Sequence, residues 1–361
     1  MKMCARRVRG GRDTGFWVGE LLEGCKLCMR GLKSVLFITG LCRDRCFYCP
    51  ISKGKRGDNT YINEVRSYTP WDAVLEVDAC GSRGVGVTGG DPLLRLERVV
   101  EYVRVLKEVF GRSFHVHLYT SGSLLSSDVM ERLVNAGVDE IRIHVIGEKS
   151  WSALRVALQY PVTVAVENPA LPDGLEALKK LLLRAWEVGV RFVNLNELEF
   201  SESNELRLRL RGYRVRESGV AAEGSEEVAL TLLRWVVEEG IDLNLHYCPA
   251  RFKDSIQFRA RLTLRGLRTR LPFEEVVDGV VRWVEVRPAN QAGEALLKDL
   301  MQLVASDAAF VKGGAVLTHP RVAEKVLRET SSLLITFLEA YPTTPRLILS
   351  SSITGNERIK A

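Results

Sequence analysis

The chain has 361 residues, enough for one large domain or two ordinary ones. Hydrophobic residues make up 46% and charged residues 27%, which excludes an extended disordered region, and apolar runs such as SVLFITGL and SSLLITFL are too short to span a bilayer. The net charge of +6 is concentrated in residues 1–12, which carry five basic side chains and no acid, and in residues 251–270, which carry seven against Asp254; such stretches attract phosphate backbones when they are exposed and are otherwise an ordinary solvated face.

The first 33 residues read as a basic segment ending in the pair Cys25 and Cys28. No apolar run follows the opening MKMCARRVRGGRDTG, so it is not a secretory signal and a cytoplasmic protein is expected. From residue 34 short β-rich runs alternate with helical ones. SVLFITG (34–40) reads as a strand, PWDAVLEVDACG as a helix, GVGVTGGDP (84–92) as a strand, and RLERVVEYVRVLKEVFG as a helix stopped by glycine. FHVHLYTSG (114–122), DEIRIHVIG, YPVTVAVENP, RFVNLNELE and IDLNLHYC read as further strands, with helical patterns in SSDVMERLVNAG, DGLEALKKLLLRAWEVG and SEEVALTLLRWVVEEG. LRLRLRGYRVR (206–216) alternates like a strand but has a helix start and stop, and a helix is expected.

Strand–helix alternation with short connections implies parallel strands and right-handed crossovers. About seven strands suit a partial (β/α) barrel over 34–255, with a doubly wound sheet as the alternative. Beyond about residue 260 the order β-α-β-α-β, from VVRWVEVRP to RLILSSS, predicts a small C-terminal α+β domain of ferredoxin-like type, set at 256–361. The cysteine loop, the Gly-Gly-Asp-Pro turn, YTSG and ENP all follow strand C-termini, so a barrel would gather them on one face.

The eight cysteines are clustered, which in a cytoplasmic chain points to metal or redox chemistry. Cys42, Cys46 and Cys49 lie in one short loop at C-x3-C-x2-C. A structural zinc site wants four ligands, and so does a fully protein-ligated cubane cluster. Three thiols can hold three irons and leave the fourth open to a small molecule. CRDRCFYC, with Tyr48 before the last cysteine, resembles the cluster motif of the radical S-adenosylmethionine (SAM) enzymes. The resemblance implies a [4Fe–4S] cluster on Cys42, Cys46 and Cys49. The open iron would chelate SAM, and one electron would cleave it to a 5'-deoxyadenosyl radical. TGGDP (88–92) resembles the family's Gly-Gly-Glu-Pro turn, with Asp91 in place of Glu, and YTSG (119–122) its Thr-Asn-Gly, with Ser121 in place of Asn. Gly89, Gly90, Asp91 and Ser121 are therefore expected to bind SAM. The likeness spans roughly residues 34–250 and comes nearest the pyruvate formate-lyase activating branch, through an archaeal group related to it.

Arg142, Glu167 and Asn196 sit on the interior side or toward the ends of their strands and are further candidates for cofactor contacts. A buried Arg142 needs an acid, either the methionyl carboxylate or a side chain from another strand. Cys25 and Cys28 form half of a metal site, which Cys248 could complete on the active face, with His246 as a further ligand. The set could hold a second iron–sulfur cluster or a zinc, or Cys248 could be a small buried hydrophobe. Cys4 and Cys80 have no partner spacing. The expected activity is SAM-dependent radical modification of a macromolecule. RNA (tRNA) is the first expectation and a protein or peptide the second, with an electron donor such as ferredoxin or flavodoxin. From another class, a non-catalytic iron–sulfur or zinc protein that binds nucleic acid would close each metal with four ligands.

Overall fold

The strand-forming runs of the sequence become a mostly parallel sheet. In the computed structural model, which describes residues 6–217, 219–303, 309–326 and 332–354, this sheet has eleven strands. They are β1 (Arg9–Gly11), β2 (Gly15–Val18), β3 (Lys33–Phe37), β4 (Thr60–Ile62), β5 (Val65–Ser67), β6 (Gly84–Thr88), β7 (His115–Thr120), β8 (Glu140–Ile143), β9 (Thr163–Ala170), β10 (Phe192–Glu197) and β11 (Asn244–Cys248). Their spatial order is β1-β2-β11-β10-β9-β8-β7-β6-β3-β4-β5. The seven strands from β3 to β11 are parallel and run in chain order with no reversal. A doubly wound sheet needs a switch point where the order turns back, so the partial (β/α) barrel is the architecture.

The first 33 residues, set apart in the sequence reading, join this sheet: β2 pairs antiparallel with β11. The hairpin β4–β5, not expected from the sequence, pairs antiparallel with β3. Its tight turn places Asn63 at φ 53°, a left-handed conformation that Asn tolerates.

The helices that accompany these strands include α1 (Glu23–Met29), α2 (Pro70–Cys80), α3 (Leu96–Phe110), α4 (Ser127–Ala136), α5 (Glu148–Ala157), α6 (Leu175–Glu187), α7 (Glu205–Arg209) and α8 (Ser225–Glu238). α3 buries Val99, Val103 and Leu106, one face at helical spacing. α4 starts where Ser126 Oγ accepts from the Val129 amide and ends at Gly137 in the left-handed region. Of residues 206–216, only the first part is helical, and after Gly212 the chain turns extended.

On the strands, alternate residues face opposite ways. Leu118, Ile141, Val166, Leu195 and Leu245 are fully buried in the apolar core. Their neighbours His117, Tyr119, Arg142, Glu167, Asn196 and His246 lie on the other face. This period of two assigns the polar set to the barrel interior.

The chain divides into two compact units, the first ending at Phe258 and the second beginning at Arg259. The second opens with a helix (Arg259–Thr269) and contains β12 (Glu275–Val277), β13 (Val280–Pro288), β14 (Ala309–Lys312), β15 (Ala315–Thr318), β16 (Leu333–Tyr341) and β17 (Leu347–Thr354), with helices over Gln291–Leu303 and Pro320–Val326. Its antiparallel order β14-β15-β13-β16-β17 makes β13 through β16 a βαββαβ unit of ferredoxin-like type, with β12 added beside β13. AAFVKGGAVLTH, read as one strand, is the hairpin β14–β15, because Gly313 and Gly314 take positive φ between them. Among the described residues no helix is long and apolar enough to cross a membrane. Cys4 lies outside the described residues, and Cys80 is buried.

Candidate active site

The thiol loop leaves the end of β3 and is closed at its neck by the Gly40 amide donating to the Gly57 carbonyl at 2.9 Å. Asp58 then fastens the neck. It accepts from Thr39 Oγ1 at 2.9 Å, Arg95 Nε at 2.7 Å and Arg98 Nη1 at 2.8 Å. These bonds hold the Asp58 carboxyl down at about 2. At the far side, Phe47 and Tyr48 pack against Leu198, Phe200, Leu208 and Tyr213. Tyr48 Oη lies 2.8 Å from His144 Nε2, whose other nitrogen lies 2.9 Å from the Glu167 carbonyl. A carbonyl only accepts, so His144 donates from Nδ1 and accepts the hydrogen bond of the Tyr48 hydroxyl at Nε2. Burial lowers its pKa and keeps this neutral tautomer. The aromatic residue beside the last cysteine thus anchors the loop.

Cys42, Cys46 and Cys49 are free thiols. They line a cavity of about 370 Å³ together with Gly89, Gly90, Ser121, Arg142, Glu167 and Asn196. Of the expected cofactor-binding residues, six reach this cavity wall. Asp91 does not; it stands behind the wall, 2% exposed. Its carboxylate accepts from Thr120 Oγ1 at 3.0 Å, Ser121 Oγ at 3.0 Å and the Leu93 amide at 3.1 Å. Fully committed inside the protein, it positions the end of β7 instead of facing a ligand. Ser121 borders the cavity but spends its hydroxyl proton on Asp91.

The Gly-Gly turn is tied to the root of the thiol loop. The Gly90 amide donates to Thr39 O at 2.7 Å and the Asp91 amide to Leu41 O at 2.8 Å. A Cβ at Gly89, whose φ is +154°, would lie 2.3 Å from Thr39 O, and one at Gly90 2.2 Å from Leu41 O. Close backbone approach therefore requires glycine at both positions.

Arg142 is 3% exposed and has all its partners within the protein. It meets Glu140 at 2.5 Å, Glu167 at 2.9 Å and Cys25 Sγ at 3.2 Å. The acids it needs come from its own strand and from β9, so a methionyl carboxylate is not required to balance it. Burial pushes Glu140 up, but Arg142 outweighs it and holds the carboxyl at about 2. Glu167 Oε1 accepts from Asn196 at 2.8 Å, Asn196 Oδ1 from Asn194 at 3.1 Å, and Asn194 Oδ1 lies 2.6 Å from His246 Nδ1. One polar chain therefore crosses β8, β9, β10 and β11.

Beyond that chain lies a second cavity of about 180 Å³, lined by Cys25, Cys28, Cys248 and His246 with Lys33 and Lys253. Thr88, Tyr119, Arg142, Glu167, Asn196 and Lys253 border both cavities. Lys33, Tyr119 and Lys253 were missed in the sequence. Tyr119 could have been found by its alternation with Leu118. Lys253 was hidden in the basic stretch 251–270, where it pairs with Glu199. In that stretch Arg261 and Arg265 are buried, so it does not offer all seven charges to a phosphate backbone. At the other end, Arg6 is taken up by the Ile241 and Leu243 carbonyls and by Asp242.

The donor set fits an iron–sulfur cluster with SAM beside it. Three free thiols border a cavity of ligand size, which Gly89 and Gly90 also line. A family model described as the Radical SAM superfamily matches residues 36–147. A protein of Methanocaldococcus jannaschii, whose curated name assigns it provisionally as a glycyl-radical enzyme activating enzyme, is 39% identical over 272 residues, covering 72% of this chain and 71% of its own. The GTP 3',8-cyclase of Heliobacterium modesticaldum is 28% identical over 211 residues, 53% of this chain and 61% of its own. Among solved structures, Streptococcus suis SuiB bound to S-adenosylmethionine aligns with a TM-score of 0.43 at 10% identity, over 60% of this chain and 50% of SuiB. SuiB bound to its precursor peptide SuiA gives 0.45 at 10% identity, over 60% and 48%. The chain thus spans less than two thirds of the length of the cyclase and of SuiB.

Proposed function

The chain belongs to the radical SAM superfamily, and from that premise we propose that it modifies or activates a protein or peptide. Its cofactors are a [4Fe–4S] cluster and SAM, which together supply one-electron cleavage of the sulfonium to a hydrogen-abstracting 5'-deoxyadenosyl radical. Cys42, Cys46 and Cys49 would hold the cluster, with one iron left for SAM. Gly89 and Gly90 line the cavity wall and pack their turn against the root of the thiol loop, and Asp91 fixes Thr120 and Ser121 behind it. The Arg142–Glu167–Asn196 chain forms the inner wall, supplies polar groups to a bound nucleoside, and stays rigid because every member is satisfied.

The observation that carries the substrate class is the 39% identity to the archaeal relative named as an activating enzyme. RNA, the first expectation, has lost its main argument, since the basic stretches are partly buried or paired. The non-catalytic metal protein is set aside by the family itself. A one-electron donor of ferredoxin or flavodoxin type belongs to the proposal. So does a cytoplasmic location, which suits the free thiols of the described residues.

The test is anaerobic reconstitution with iron and sulfide, reduction, and assay for 5'-deoxyadenosine. Wild type should form it and Cys46→Ala should not; a reduced, cluster-loaded wild type that forms none would end the reading. Candidate glycyl-radical proteins encoded beside the gene, added to the assay, should acquire a protein radical visible by electron paramagnetic resonance. Stimulation by tRNA instead would return the substrate to RNA.

A further inference from the structure

We propose that Cys25, Cys28 and Cys248 hold a second [4Fe–4S] cluster inside the barrel, separated from the SAM compartment only by the shared wall of Tyr119, Arg142 and Asn196. This goes beyond the proposed substrate and does not depend on it.

Topology brings the three thiols together from distant parts of the chain. Cys25 and Cys28 stand three residues apart on α1, which puts them on one helix face. Cys248 ends β11 on the inward side, two residues after His246. All three border the cavity of about 180 Å³.

The spacing favours a cluster over a single ion. A tetrahedral zinc with its sulfurs at about 2.3 Å draws them to within roughly 3.8 Å of one another. Among the described residues, the His, Cys and carboxylate ligand atoms gathered in threes within 4.8 Å are those of His115, His117 and Glu140. The Cys25, Cys28 and Cys248 thiols are not all gathered within that limit, and they border an open cavity. A cubane core fills such a space and keeps its thiolates apart.

The charges also call for an anion there. Lys33 is 6% exposed and borders the cavity, yet among the described residues it has no carboxylate at ion-pair distance. Its one hydrogen-bond contact is His117 Nε2 at 3.3 Å. A buried ammonium needs a counter-charge, and a thiolate-bound cluster supplies it. The His115–His117–Glu140 group is the weaker metal candidate, because Arg142 already occupies Glu140.

His246 is excluded from the ligand set by the polar chain. The Glu167 carboxylate can only accept, which orients Asn196 and then Asn194, so Asn194 Oδ1 must receive a proton from His246 Nδ1. That nitrogen lies 3.9 Å from Cys25 Sγ, but its one proton is spent on Asn194, so it has no lone pair for a metal. Its other nitrogen points towards Gly15. Three thiolates and no imidazole among the residues lining the cavity leave the fourth iron without a cysteine or histidine.

The test counts metal in the full-length protein after anaerobic reconstitution. Wild type should bind about eight irons and eight sulfides per chain. The triple variant Cys42→Ala, Cys46→Ala, Cys49→Ala should keep half of each, and so should Cys25→Ala, Cys28→Ala, Cys248→Ala. A wild type that saturates at four irons, or that binds one zinc with four irons, overturns the proposal even if the triple variants fail to fold. Lys33→Gln, with all the cysteines present, should lower the reduction potential of one cluster signal and leave the other in place; two unmoved signals would remove Lys33 from the site. Formation of 5'-deoxyadenosine depends on the first cluster and is scored separately.

Discussion

Arg142 carries most of the electrostatic organisation of the barrel interior. Its guanidinium sits between two carboxylates and a thiol, with almost no solvent contact. Removing it strands Glu140, 1% exposed, as a buried charge without its main partner. Arg142→Met should therefore cost about 3–5 kcal/mol in urea unfolding, and adding Glu140→Gln should recover part of that loss. A double variant no more stable than Arg142→Met would show that Glu140 is not the stranded group. Asp91 answers to the same logic on a smaller scale. Asp91→Ala leaves Thr120 and Ser121 without their acceptor and should cost about 1–3 kcal/mol, with the three loop thiols still titratable. The position was legible in the sequence as part of the Gly-Gly turn. Its role was not, because whether a carboxylate faces a ligand or its own fold depends on donors supplied by another strand.

At the scale of elements, the thiol loop is held by its neck more than by its own sequence. Asp58 has its pKa depressed from 3.8 to about 2 by the two arginines and Thr39. A depressed carboxylate stabilises the fold above its unfolded pKa, and the contribution fades as pH falls through the folded value. The thermal midpoint of the wild type should accordingly lose a component between pH 3.8 and about 2. Asp58→Asn should lack that component, as melting curves across the range would reveal; identical acid limbs would refute the anchoring role. Gly89→Ala meets a harder obstacle, a carbonyl oxygen 2.3 Å from the new Cβ. The turn must move away from Thr39, so SAM binding should weaken at least tenfold in equilibrium dialysis of the reconstituted protein, while iron content persists. In the second unit, the two glycines between β14 and β15 would equally suit a bulge within one strand. Pairing partners, invisible along the chain, decide between the two.

For the whole molecule, the charge excess of +6 is a poor guide to the partner. Arg261 and Arg265 are buried and Arg6 is bonded to carbonyls near β11, so fewer cations face solvent than the sequence counts. Binding of tRNA should be weak, with a shallow dependence on salt, and a steep slope would contradict the protein-substrate reading. Alternation of strand and helix, the three-thiol spacing and the glycine turn were determined by the sequence alone. Each is a local pattern, set by backbone period or by ligand spacing within a few residues. The tertiary structure decided that Arg142 is satisfied internally, that Asp91 supports instead of binding, and that Cys25, Cys28 and Cys248 surround one cavity beside Lys33. Those facts join residues on different strands and helices, and only folding sets the distances and burial on which their charges and hydrogen bonds depend.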